Sequence, residues 1–148
     1  MADSSGVETE AGPMTARRYL ASLKDGREVW IDGRRVDDVA THPAFKDMVG
    51  ELARLYDLQN SPQYRDEMTC LDPDRGGRIS VSWLFPRSAD DLKKKRRNSE
   101  LWNLLSWGQL GRSPDILAPY ILSALHLKDE FSAVRHDRCD FGENLQNY

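Results

Sequence analysis

The sequence predicts a mainly α-helical domain carrying small β-hairpins, and three observations lead there. Phe45, Met48, Val49, Leu52, Leu55 and Tyr56 recur at helical spacing, giving one continuous apolar stripe to bury. A second long helix starts at Ser88, with Asp91 three residues on, a spacing that satisfies free backbone N–H groups at a helix start. Short β-branched and aromatic runs are broken by Asp32-Gly33 and by Pro73 to Gly77, as hairpin turns break strands.

In chain order, residues 1–13 are acidic, small and polar and are expected to form a disordered tail. The domain is expected to fill residues 14–148. Thr15 caps a first helix with Tyr19, Leu20 and Leu23 on one face and Gly26 just past its end. A hairpin follows, Glu28 to Ile31 and Arg34 to Val36. His42-Pro43 opens the striped helix, since proline is pre-set for a first helical position. A polar connector, Gln59 to Asp66, leads to a second hairpin of Met68 to Leu71 and Ile79 to Phe85. In its second strand Ile79, Val81, Trp83 and Phe85 alternate onto one face. The Ser88 helix runs through Leu92 to Trp107 and stops near Gly108 and Gly111. Ser113-Pro114 starts another from Asp115 to about Leu125, which Pro119 kinks or shortens. Phe141, Leu145 and Tyr148 keep a helical period up to the last residue, which predicts that the domain is truncated at its C-terminus.

Composition excludes several function classes. With 148 residues there is room for one ordinary domain. A charged fraction of 30% with no long apolar run predicts no membrane association. A net charge of -3 gives no global attraction to phosphates, so nucleic acid is not an expected partner. The start of the chain lacks a basic and apolar leader, and Cys70 and Cys139 stand alone, which predicts reduced thiols in a cytoplasmic protein.

No residue constellation declares a reaction. Lys93 to Arg97 reads as a solvated helix face moderated by Asp90, Asp91 and Glu100. His42, His126 and His136 share no ligand spacing with one another or with either cysteine, so no metal is expected; His42 belongs to the start of a helix. Leu101, Trp102, Leu104, Leu105 and Trp107 have the spacing of core anchors. Arg112 stands apart, between a glycine and a capped helix start. A long cation there is either aimed at a cleft or capping the carbonyls of the preceding helix.

Several stretches, in order, resemble the N-terminal region of the 4-hydroxyphenylacetate 3-hydroxylase family. They are Arg18-Tyr19-Leu20, Asp25 to Val29, Asp32-Gly33, Thr41 to Phe45, Leu55-Tyr56-Asp57, Pro86-Arg87-Ser88, Asp90-Asp91-Leu92, Trp102 and Gly111 to Asp115. The resemblance implies the N-terminal helical domain of an acyl-CoA-dehydrogenase-like flavin monooxygenase. It implies ortho-hydroxylation of a phenol by a flavin hydroperoxide, with FAD arriving as FADH2 from a separate flavin reductase, in a homotetramer. It also implies that Arg112 lies at the substrate and flavin site, as catalytic and substrate-binding residue. Ile116, at the substrate, replaces the family's tyrosine and moves specificity away from 4-hydroxyphenylacetate. Most flavin contacts are implied to lie beyond Tyr148, so this segment alone is expected to be inactive and to hold FAD weakly. Ser99 replaces a usually apolar residue, which predicts looser packing of the long helix.

Two other readings compete. One is a non-catalytic helical remnant serving oligomerisation or partner binding, which would expose an apolar patch. The other is a relative of 4-hydroxybutyryl-CoA dehydratase, which needs paired cysteines for an iron–sulfur cluster; Cys70 and Cys139 lack that spacing.

Overall fold

The structure, a computed structural model, describes residues 12–74, 76–109 and 116–130. Arg112, the Ser113-Pro114 cap, His136, Cys139 and the Phe141 to Tyr148 pattern lie outside the described residues, as do residues 1–11.

Helix α1, Ala16–Ser22, begins where Thr15 accepts a hydrogen bond from the Arg18 N–H. A second group closes its start: Asp57, far along the chain, accepts from the Ala16 N–H at 2.9 Å. A carboxylate there meets the positive end of the helix. Strands β1 (Val29–Ile31) and β2 (Arg34–Val36) pair antiparallel, with Trp30 opposite Arg35. Asp32 and Gly33 take φ of 49° and 72°, the left-handed pair that a tight hairpin turn requires.

Helix α2 spans Lys46–Asn60, so it starts three residues later than Pro43 suggests. His42 explains the delay: its carbonyl accepts from both Phe45 and Lys46, and its Nδ1 from Ala44, so residues 42–45 form a lead-in turn. His42 thus serves the helix start, as expected. The helix then runs on through Gln59 and Asn60, which the sequence assigns to a connector. A short helix, α3 (Arg65–Met68), takes up the rest.

Strands β3 (Thr69–Leu71) and β4 (Arg78–Ser80) form the second hairpin. The long alternating strand is corrected here, because β4 ends at Ser80 and Val81–Trp83 form a 3₁₀ turn. Ser80 accepts from the Ser82 N–H and starts the turn. Three residues per turn place Val81 and Leu84, not Val81 and Trp83, on the buried side.

Helix α4, Ala89–Leu105, is capped by Ser88, which accepts from the Asp91 N–H at 3.1 Å. The Asp91 carboxylate in turn accepts from the Arg87 N–H at 3.0 Å. The helix stops two residues short of the expected Trp107. Helix α5, Ala118–His126, begins after the expected Asp115, and Pro119 occupies its first turn without kinking it.

Leu55 of α2, Met68 of α3 and Leu101 and Trp102 of α4 form the core, with Leu52, Tyr64 and Leu105 against them. Each such side chain contributes roughly 1.5–3 kcal/mol by leaving water. Helix α1 packs on α2, and α4 and α5 both pack on the 3₁₀ turn. Ser99 is exposed on α4, so its polarity leaves this core intact.

The Lys93 to Arg97 face is not uniformly solvated. Lys95 turns inward and donates to the carbonyls of Ser82 and Leu84 at 2.8 and 3.0 Å. Arg97 pairs with Glu67 of α3. Among the described residues no helix is long and apolar enough to cross a membrane.

Candidate functional site

The segment holding Arg112 is framed by the end of α4 and the start of α5. Helix α4 ends in a paired motif: the Gly108 N–H reaches the Asn103 carbonyl at 2.9 Å and the Trp107 N–H turns to Leu104. Trp107 takes the left-handed conformation, φ 55°, at the position where glycine is favoured. The turn throws its indole outward, and Trp107 is 88% exposed. Leu104, one turn earlier, is 68% exposed. Neither is the core anchor that its spacing suggests, because the helix ends before their side can be covered by described residues.

One of the two roles open to Arg112 is met by another residue. Arg54 Nη2 donates to the Leu105 carbonyl at 2.8 Å, capping the last turn of α4 from α2. Glu51 holds the same guanidinium, and that pairing keeps the Glu51 carboxyl below its usual range.

On the far side of the frame, Ile116 is half-buried and Ala118 fully buried, so the chain is anchored as it returns into α5. Leu117 and Tyr120 point out, Tyr120 at 69% exposure. Tyr120 stands four residues after Ile116, about one helical turn. The sequence reading passed over this phenol, although its spacing from Ile116 was visible.

Two clefts flank the frame. One of about 240 Å³ lies between α2 and the end of α4, lined by Met48, Glu51, Leu52, Ser106, Trp107 and Gln109 among others. The other, about 400 Å³, lies between the turn before α4 and α5, with Phe85, Pro86, Lys95, Leu122 and His126 in its walls. His126 rests its ring 5.5 Å from Phe85. Both clefts have mainly apolar walls with a few polar groups, the make-up of a surface that receives an aromatic molecule or another part of a protein. No group of three or more His, Cys, Asp or Glu able to hold a metal occurs among the described residues. Cys70 is a free, half-buried thiol whose pKa is pushed up by burial.

A family profile described as "4-hydroxyphenylacetate 3-hydroxylase N terminal" matches residues 15–148. The chain is 42% identical over 120 residues to the oxygenase component of 4-nitrophenol 2-monooxygenase from a Rhodococcus species, covering 80% of this chain and 23% of the relative. It is 42% identical over 110 residues to the oxygenase component of 4-hydroxyphenylacetate 3-monooxygenase from Escherichia coli, 73% of this chain and 21% of that one. The chain therefore spans between a fifth and a quarter of the length of these relatives. The crystal structure of the oxygenase component (HpaB) of 4-hydroxyphenylacetate 3-monooxygenase complexed with FAD and 4-hydroxyphenylacetate superposes with a TM-score of 0.77. The identity is 34%, over 91% of this chain and 27% of that one.

Proposed function

Because the chain belongs to the 4-hydroxyphenylacetate 3-hydroxylase N-terminal family, we propose that it is the substrate-side segment of the oxygenase component of a two-component monooxygenase. The reaction is ortho-hydroxylation of a phenol at the expense of reduced FAD. The observation that carries this reading is the match in fold, over 91% of the chain, to an oxygenase complexed with FAD and a phenolic acid. Both relatives above are named as monooxygenases, which favours this reading over a dehydratase.

Arg112 is the residue on which the reaction turns. On the family resemblance, the Arg112 guanidinium is assigned to the phenol oxygen. A fixed cation there favours the phenolate, which enriches electron density at the ortho carbon. Ile116 forms an apolar wall at the same substrate, and Tyr120 supplies a phenolic hydroxyl from the first turn of α5. The exposed Leu104, Trp107, Leu117 and Tyr120 are then surfaces that the rest of the oxygenase covers.

The described residues do not fit FAD by themselves. Four open clefts among them, of about 240 to about 510 Å³, are each too small to enclose a flavin together with its adenine dinucleotide tail. The flavin is accordingly held mostly by parts corresponding to the unmatched length of the relatives, in an acyl-CoA-dehydrogenase-like tetramer. A separate flavin reductase supplies it reduced.

A graft tests this reading. Residues 15–148 replace the matching segment of the Rhodococcus oxygenase, and the product is given reduced FAD, oxygen and a panel of para-substituted phenols. Catechol formation is expected, and Arg112→Ala is expected to abolish it while flavin oxidation continues. A folded, FAD-binding graft that hydroxylates no phenol overturns the assignment, and full coupling in Arg112→Ala removes Arg112 from it.

A further inference from the structure

A third cavity shares no described wall residue with the two clefts that flank the Arg112 segment. Residues 12–14 form a strap across α1 and α2. Arg18 Nη1 donates to the carbonyls of Gly12 and Pro13 at 2.8 and 3.3 Å, and Asn60 Nδ2 to that of Met14 at 2.8 Å. Beneath the strap is a cavity of about 340 Å³ whose walls include Arg18, Tyr56, Gln59, Ser82, Trp83 and Trp102. None of residues 106–109 and 116–120 lines it.

Two of these wall residues are buried donors lacking an acceptor. Gln59 is 2% exposed and Trp102 fully buried. Yet neither Gln59 Nε2 nor Trp102 Nε1 has a hydrogen-bond partner among the described residues. Folding has stripped both N–H groups of water with no return, which native interiors seldom tolerate without a partner from outside the chain. The neighbouring hydroxyls already accept from other groups: Ser80 Oγ from the Ser82 N–H, and Ser82 Oγ from the Ser80 hydroxyl and from Asn98 Nδ2.

The walls also specify the character of that partner. Among the described residues Arg18 is the cation in these walls, and no Asp or Glu lines the cavity. Arg18 spends Nη1 on the strap, and its Nε and Nη2 have no partner among the described residues. Aromatic faces of Tyr56, Trp83 and Trp102 make up much of the rest, a poor match for a water cluster, whose members each need two to four polar contacts. An oxyanion would answer the two N–H donors and the guanidinium, and a flat ring would lie against the aromatic walls.

We propose that this cavity binds a small aromatic carboxylate of the benzoate class. The carboxylate takes hydrogen bonds from Gln59, Trp102 and Arg18, and its ring packs between Tyr56 and Trp83. Binding fastens the strap to α1 and α2.

The test titrates the full chain with benzoate and, in parallel, with neutral benzamide. It follows the Trp102 indole N–H resonance, assigned through Trp102→Phe, and the thermal midpoint. Benzoate is expected to shift that resonance saturably and raise the midpoint, with benzamide weaker. Gln59→Leu and Arg18→Met are each expected to weaken benzoate binding by about tenfold or more. Arg18 is a partly exposed strap contact, so Arg18→Met reports even where Gln59→Leu fails to fold. An indole resonance unmoved by millimolar benzoate, in magnetisation exchange with water alone, overturns the proposal. Equal benzoate affinity in the wild type and Arg18→Met does the same.

Discussion

Lys95 Nζ donates to the Ser82 carbonyl at 2.8 Å, joining the middle of α4 to the 3₁₀ turn thirteen residues earlier. The same ammonium reaches the Leu84 carbonyl at 3.0 Å. Val81 and Leu84, which flank these carbonyls, are both buried. Lys95→Met would leave polar oxygens without their charged donor, at a cost of about 1–3 kcal/mol. Lys94→Met, on the exposed side of the same helix, is expected to stay within about 0.5 kcal/mol of wild type. Urea denaturation of the two variants separates them; equal stabilities would return the whole basic run to the solvated face.

Trp107 supplies a second stability test, of opposite sign. It occupies the left-handed residue of the α4 C-cap with its side chain almost wholly exposed. Glycine accepts that conformation without a Cβ penalty, so Trp107→Gly is expected to stabilise the chain by about 0.5–1 kcal/mol despite glycine's greater freedom when unfolded. Thermal unfolding checks it. A loss of stability would mean that the indole is packed against something in solution.

These two residues also show where the sequence was readable. Thr15, Asp32-Gly33 and Ser88 were legible because a cap or tight turn is decided within about four residues, by chemistry those residues carry themselves. Lys95 was not, because its partners lie on a turn that sequence alternation had disguised as a strand. Val81 and Leu84 become a pair only once Ser80 bonds the Ser82 N–H and the backbone tightens. Gln59 looked like a loop residue and is among the most buried side chains, since polarity says nothing about where a helix ends when its neighbours supply the core. For the candidate site, the end of α4 was visible in Gly108, whereas the start of α5 was not, because Leu117 at its cap offers no side-chain hydrogen bond and the Ser113-Pro114 pair lies outside the described residues. The cap by Arg54 was not, because its acceptor is fifty-one residues away.

Acid should weaken the fold through carboxylates that hold their protons less tightly when folded. Asp91 is lowered first by the Arg87 N–H and then by Ser88; Glu51 and Glu67 are lowered by the Arg54 and Arg97 guanidiniums. A depressed folded pKa contributes stability that is complete above the ordinary carboxyl range near 4 and is lost as pH falls through the folded value. The urea midpoint is therefore expected to be flat down to about pH 5 and to fall below about pH 4. The slope should be shallow, because these groups are largely exposed and screened. Asp91→Asn should flatten the acid limb further, and an unchanged limb would remove Asp91 from the account.

Ile116 and Tyr120 together test how the proposed site chooses its phenol. Ile116 is half-buried, and its side chain offers area but no hydrogen bond. A substrate carboxylate placed there would lose water without gaining a donor, whereas a smaller para substituent would lose less. Ile116→Tyr in the grafted oxygenase is therefore expected to raise kcat/KM for 4-hydroxyphenylacetate relative to 4-nitrophenol, by about tenfold to a hundredfold. Tyr120 is exposed one turn along, and if its hydroxyl serves the substrate then Tyr120→Phe should lower kcat/KM for both phenols while the fold stays intact. The double variant separates replacement from addition. If Ile116→Tyr restores what Tyr120→Phe removes, the two hydroxyls do one job. If the losses and gains multiply independently, Tyr120 acts elsewhere. A ratio of the two substrates unmoved by Ile116→Tyr would show that position 116 does not face the phenol.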